Sequence, residues 1–145
     1  MSFRKFIGIP YLHQGRDFKG IDCYGLIVLV YKENLDIELP DPTLYKFGTD
    51  ACNYMPAFYT NGEYEGFSGY YKLWEPVNRI DLQKYDIVLL NTYSEIEAPT
   101  HSGLYVGDGL LIHSMSGLPV TIHRMNMWED AIHSTYRYKE RELHG

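Results

Sequence analysis

At 145 residues the chain has room for one domain with its own core and too little for two ordinary ones, so residues 1–145 are expected to form a single unit. A formal net charge of −6 argues against a nucleic-acid partner, because phosphates reward clustered Lys and Arg. No stretch approaches the roughly 18 apolar residues of a membrane span, and Met1-Ser2-Phe3-Arg4-Lys5 leads into only a few apolar residues rather than a signal-peptide core.

The expectation is therefore a protein made in the cytoplasm that leaves the cell, if it does, by another route. Fourteen tyrosines exceed the usual share and suggest a surface suited to contacts.

In chain order, Phe3 to Gly20 carries Gly8, Pro10, Gly15 and Gly20 and reads as an irregular lead-in. From Cys23 to Glu33 the chain is almost wholly apolar and lacks proline. Periodicity alone does not separate a buried helix from a long strand here. Asp22 is a good N-cap and Asn34 a plausible stop, which favours helix. Leu35 to Asn78, with Pro40-Asp41-Pro42 and Asn61-Gly62, reads as loops and short helices.

The last third is β. Tyr85 to Asn91, His101 to Val106, Leu110 to Ser114 and Val120 to Arg124 are short runs separated by turn residues, as in a meander. Trp128 to Tyr138 is expected to cover them and end in one more strand. A helix followed by antiparallel strands gives an α+β domain.

Cys23 stands where the first turn of the helix would begin. Unpaired N–H groups and the positive end of the macrodipole favour a thiolate there, and the same N–H groups could hold an oxyanion. The other cysteine, Cys52, lies in a loop-like region without a basic neighbour and draws no chemistry. A bridge between the two is disfavoured in a chain without a secretion signal.

A nucleophilic cysteine needs a base and a group that orients the base. His101 and His113 lie on adjacent expected strands around Gly107-Asp108-Gly109. A two-residue Asp108-Gly109 loop would put the imidazoles on opposite faces. A three-residue loop with Gly109 left-handed pairs Val106 with Leu110 and Gly103 with His113, and both rings then share a face. The second arrangement is the expectation, with Gly103 leaving room for the His113 ring.

Cys23, His101 and His113 could in principle hold zinc, but no further ligand is evident, and neither metal nor cofactor is expected. His13, His123, His133 and His144 are expected on the surface.

Three blocks carry a more specific signal: Gly8-Ile-Pro-Tyr11 through Gly20-Ile-Asp-Cys-Tyr-Gly-Leu26, Leu82 through Leu90, and His101 through His113. In order and spacing they resemble the NlpC/P60 family, most nearly the members found in tailed-phage tail proteins. The resemblance implies a papain-like fold, with a helix carrying the cysteine packed on an antiparallel meander. It also implies cleavage of peptidoglycan stem peptides at D-γ-glutamyl-diaminopimelate bonds or related linkages.

By the same resemblance Cys23 is the nucleophile, His101 the base and His113 the third polar member. Tyr11 would help the oxyanion site, and Asp22 and Tyr24 are candidate substrate contacts. The chain departs from the family where Tyr24 replaces a common Ser, Gln14-Gly15 a common Gly-Gly pair and Tyr85-Asp86 a common Gly-Asp.

The implied partners are a stem-peptide substrate and phage tail-tip proteins, and the implied destination is a virion acting at the host wall. The alternatives are a structural tail-tip part on the same fold and an acyl-transfer or thioesterase enzyme.

Overall fold

The computed structural model describes residues 2–39, 73–92 and 101–139. The Leu35–Asn78 reading, Cys52 and His144 fall wholly or largely outside them.

Helix α1 spans Cys23–Leu35 and has Asp22 as N-cap, whose carboxylate accepts from the Gly25 N–H. It runs past Asn34 because Asp36 takes a left-handed conformation, with φ 55°. The Asp36 N–H then reaches the Lys32 carbonyl, the Ile37 N–H reaches the Tyr31 carbonyl, and Ile37 is buried beneath. This is a Schellman-type stop, and Asp is among the few residues that tolerate it.

In front of the helix, two short strands, β1 (Arg16–Asp17) and β2 (Gly20–Ile21), pair antiparallel within the expected irregular segment. Close approach is needed where this hairpin meets the helix. A Cβ on Gly25 would lie 2.2 Å from the Gly15 carbonyl oxygen, a distance no side chain accepts.

The remaining strands are β3 (Trp74–Pro76), β4 (Ile87–Leu90), β5 (His101–Gly107), β6 (Leu110–Met115), β7 (Leu118–Arg124) and β8 (Ile132–Tyr138). They form one antiparallel sheet in the order β3-β8-β4-β5-β6-β7. The expected meander is β4 to β7. The last strand does not extend it but returns to pair with β4, and β3 adds an edge where only loops and helices were expected.

The crossing from β7 to β8 explains the return. Met125–Ala131 forms 3-10 turns, and Met125, Trp128, Ala131 and Ile132 pack on Val88, Leu90 and Leu111. Helix α1 covers the other face, where Leu26, Ile27 and Val30 join Ile87, Leu89, Leu104 and Ile112. Strand β4 is thus buried on both faces, as its unbroken Ile-Val-Leu-Leu run requires.

The tyrosines have a partly internal explanation. Tyr24, Tyr31, Tyr85, Tyr136 and Tyr138 are buried, and Tyr31 donates to the Tyr85 carbonyl at 2.6 Å. Tyr31 also meets Trp74 and Tyr138 at ring distances of 5.9 and 5.8 Å. Buried tyrosines of this kind combine a large apolar contact with a satisfied hydroxyl.

Candidate active site

The start of α1 is assembled from a short stretch of chain. Asp22 Oδ1 accepts from the Gly25 N–H at 2.7 Å and from Arg16 Nη1 at 2.8 Å, and Oδ2 accepts from the Gln14 N–H at 2.8 Å. Burial pushes the Asp22 carboxyl pKa up, the Arg16 charge opposes this, and a negative charge on Cys23 would add to the rise. Cys23 follows as the first helical residue, a buried thiol with 6% exposure. Arg16 was not anticipated, since the sequence alone does not separate it from Lys19 as the partner of Asp22.

Tyr11 forms an isolated parallel bridge with Ile21 and is half-buried. It lines a groove of about 270 Å³ with Pro10, Gly117, Leu118 and Pro119. Asp22 and Tyr24, in contrast, are 3% and 1% exposed, and the Arg16 guanidinium lies over the Tyr24 ring. Their surroundings favour building the helix start over touching a ligand. A larger cavity of about 910 Å³ lies at the other end of the sheet, beside Asp108, Gly109 and Arg124.

The histidines come together by register. Leu104 pairs with Ile112 and Tyr105 with Leu111, the pairing expected for a three-residue loop. The route differs, because Gly107 pairs with Leu110 around a two-residue Asp108-Gly109 turn, and Val106 is an extra residue in β5. Asp108 and Gly109 both have positive φ, 55° and 73°, as a tight mirror-image turn requires. The bulge restores the parity that such a turn alone would break.

His101 Nε2 therefore lies 2.8 Å from His113 Nδ1, both rings being buried. The space above Gly103 belongs to Leu111 rather than to the His113 ring, since a Cβ there would meet Leu111 Cδ1 at 2.9 Å.

A third imidazole joins them. His123, expected on the surface, is half-buried, and its Nδ1 lies 3.0 Å from His113 Nε2. Trp128 roofs both rings, at 5.4 Å from His113 and 6.1 Å from His123. A second register shift explains the meeting. Met115 pairs with Leu118 across a two-residue turn, yet His113 pairs with Thr121, so Pro119–Val120 holds one extra residue.

Burial pushes the His113 pKa down to about 3, helped by the flanking His101 and His123, so this ring is neutral at ordinary pH. His13 and His133 are exposed, as expected. Among the described residues, no group of three or more His, Cys, Asp or Glu side chains is arranged to hold a metal ion.

The two halves border one another at the end of the sheet. Ser114, the neighbour of His113, donates to the Ile21 carbonyl at 2.9 Å, two residues before Cys23. His101 is the first residue of β5 and lies at this same end. It pairs with Leu90, so its ring starts from the face opposite α1, and a thiol–imidazole contact would be made around the strand ends.

The sequence profile of the NlpC/P60 family matches residues 8–137. YafL of Escherichia coli K12, named a probable endopeptidase, is 29% identical over 128 residues, covering 86% of this chain and 42% of that protein. The murein DD-endopeptidase MepS/murein LD-carboxypeptidase of the same strain is 27% identical over 119 residues, covering 82% of this chain and 49% of that one. The chain thus spans at most about half the length of these curated relatives.

Among solved structures, NlpC2 from Trichomonas vaginalis superposes with a TM-score of 0.65 at 25% identity, covering 93% of this chain and 44% of that one. The NlpC/p60 domain of the peptidoglycan hydrolase SagA superposes at 0.55 with 18% identity, covering 92% and 91%. The second likeness concerns the fold alone.

Proposed function

Because the chain belongs to the NlpC/P60 family, we propose that it is a cysteine endopeptidase hydrolysing peptidoglycan stem peptides, with Cys23 as nucleophile, His101 as base and His113 orienting the base. One observation carries the reading: a buried cysteine opens a helix whose approach is tied, through Ile21 and Ser114, to the strand holding His113, whose ring is hydrogen-bonded to His101 of the next strand. Relatives named as murein endopeptidases supply the substrate class.

In the proposed reaction the Cys23 S–H bond breaks, its proton moves to His101 Nδ1, and sulfur attacks the amide carbonyl carbon. N–H groups of the first helical turn stabilise the oxyanion, with Tyr11 beside them. The C–N bond then breaks, and the amine leaves with the proton from His101. Water, deprotonated by His101, cleaves the thioester and returns the thiol.

The finer reading is a D-γ-glutamyl-diaminopimelate bond cut at a host wall by a component of a phage tail tip. It rests on the sequence resemblance of the three motif blocks. Mass spectrometry of murein fragments tests both levels. Wild type should release stem-peptide fragments whose masses identify the bond, and Cys23→Ala should release none. Full cutting by Cys23→Ala overturns the assignment.

A further inference from the structure

The three imidazoles form a series in which each ring uses both or one of its nitrogens on the next: His101 Nε2 to His113 Nδ1, then His113 Nε2 to His123 Nδ1. A neutral imidazole has one N–H and one lone pair. The middle ring must therefore give on one side what it receives on the other, and the hydrogen bonds of the series all point the same way. Burial of His113 keeps it neutral and so enforces this rule.

Only one direction leaves His101 able to act as a base. If every ring carries its proton on Nε2, His101 donates to His113, His113 donates to His123, and His101 Nδ1 presents a lone pair. In the opposite direction every proton sits on Nδ1, and the nitrogen needed to take the thiol proton is blocked. The Nε2–H form is also the more stable tautomer of an isolated imidazole, so three linked rings add three preferences of one sign.

We propose that His123 is a positioning residue of the catalytic apparatus, accepting the His113 Nε2–H and thereby holding His101 in the tautomer whose Nδ1 is open to the Cys23 proton. This rests on the assignment of His101 as base. His123 acts through His113 rather than on substrate, and the Pro119–Val120 bulge is what brings it to the shared face. Trp128 packs beside the pair and limits access of water that would otherwise replace it as acceptor.

The test combines nitrogen NMR with thiol chemistry on the full chain. With 15N-labelled histidine at pH 7.5, wild type should show His101 and His113 as Nε2–H tautomers. His123→Phe keeps a ring against Trp128 but offers no acceptor, leaving a buried N–H unpaired, which costs enough to shift the balance about tenfold. Both tautomers should then move toward Nδ1–H, and iodoacetamide alkylation of Cys23 should slow by about the same factor. His123→Gln, whose Oε1 can accept, should restore both within roughly threefold.

A folded His123→Phe protein with wild-type tautomers and alkylation rate overturns the proposal. So does Nδ1–H on His113 in the wild type, which decides the matter even if the variants do not fold. A wild type that cuts no murein but shows the Nε2–H series would count against the endopeptidase reading while leaving the tautomer relay intact.

Discussion

The two halves of the site are built by different physics. The helix start is local and charged. Gln14, Arg16, Asp22 and Gly25 satisfy one another within a short stretch, around a carboxylate whose burial is opposed only in part by a cation. The imidazole half is non-local and neutral, and depends on two strand registers, each corrected by one extra residue. The first half should fail by losing a bond, and the second by a shift of one position along a strand.

The largest effect should come from the chemistry where the halves meet. Removing the proposed base with His101→Ala should lower murein cutting by about 10²–10⁴-fold, measured by release of soluble fragments, with the fold retained. Inserting one alanine between Gly103 and Leu104 should come next. Leu104 keeps Ile112 as its partner while His101 moves by one position along the strand, so His101 and His113 separate to opposite faces. Cutting should fall nearly as far, while circular dichroism keeps its sheet signal.

Breaking the charged half should show in stability first. Asp22→Ala removes a helix cap and leaves Arg16 without its buried partner, at a cost of about 3 kcal/mol in urea unfolding. Acid should distinguish the halves by sign. Unfolded His113 takes up a proton below about pH 6.5 that the folded ring refuses until about pH 3, so its contribution makes stability fall as pH drops through that window.

Asp22 works the other way. Its raised pKa means the folded protein holds a proton longer than the unfolded chain, so this contribution is present at low pH and is lost as pH rises above 3.8. Unfolding curves for wild type, His113→Asn and Asp22→Asn between pH 3 and 7 should show the first variant flattening the acid loss and the second steepening it. The smallest effect is Gln14→Gly. Gln14 has φ 62°, so glycine should raise stability by about 0.5 kcal/mol.

How far these features could be read from sequence follows the same division. Asp22 and Cys23 were readable because helix starts are announced by adjacent residues. The His101–His113 pairing was readable because Gly107-Asp108-Gly109 signals a reversal, although the extra residue proved to be in the strand rather than the loop. Nothing comparable marks Pro119–Val120, so His123 looked like an ordinary strand histidine.

Gln14 and Tyr85, two departures from the family's usual glycines, both keep positive φ, at 62° and 77°. At Tyr85 the ring packing against Phe3 and the backbone bond with Tyr105 accompany that conformation. The place of β8 was hidden because strand order in a sheet depends on partners far apart in sequence. Edge strand β3 was hidden because it is three residues long and ends in proline.

The insertion of β8 between β3 and β4 has a consequence for biosynthesis. Until Ile132–Tyr138 has left the ribosome, one side of β4 has no neighbour to bond, and that strand is four apolar residues in a row. A nascent chain or premature stop that ends in the β7 region thus displays an open, adhesive edge, the kind of surface on which polypeptides aggregate. Shielding of that edge during translation, by slow elongation or a chaperone, would govern the yield of soluble protein.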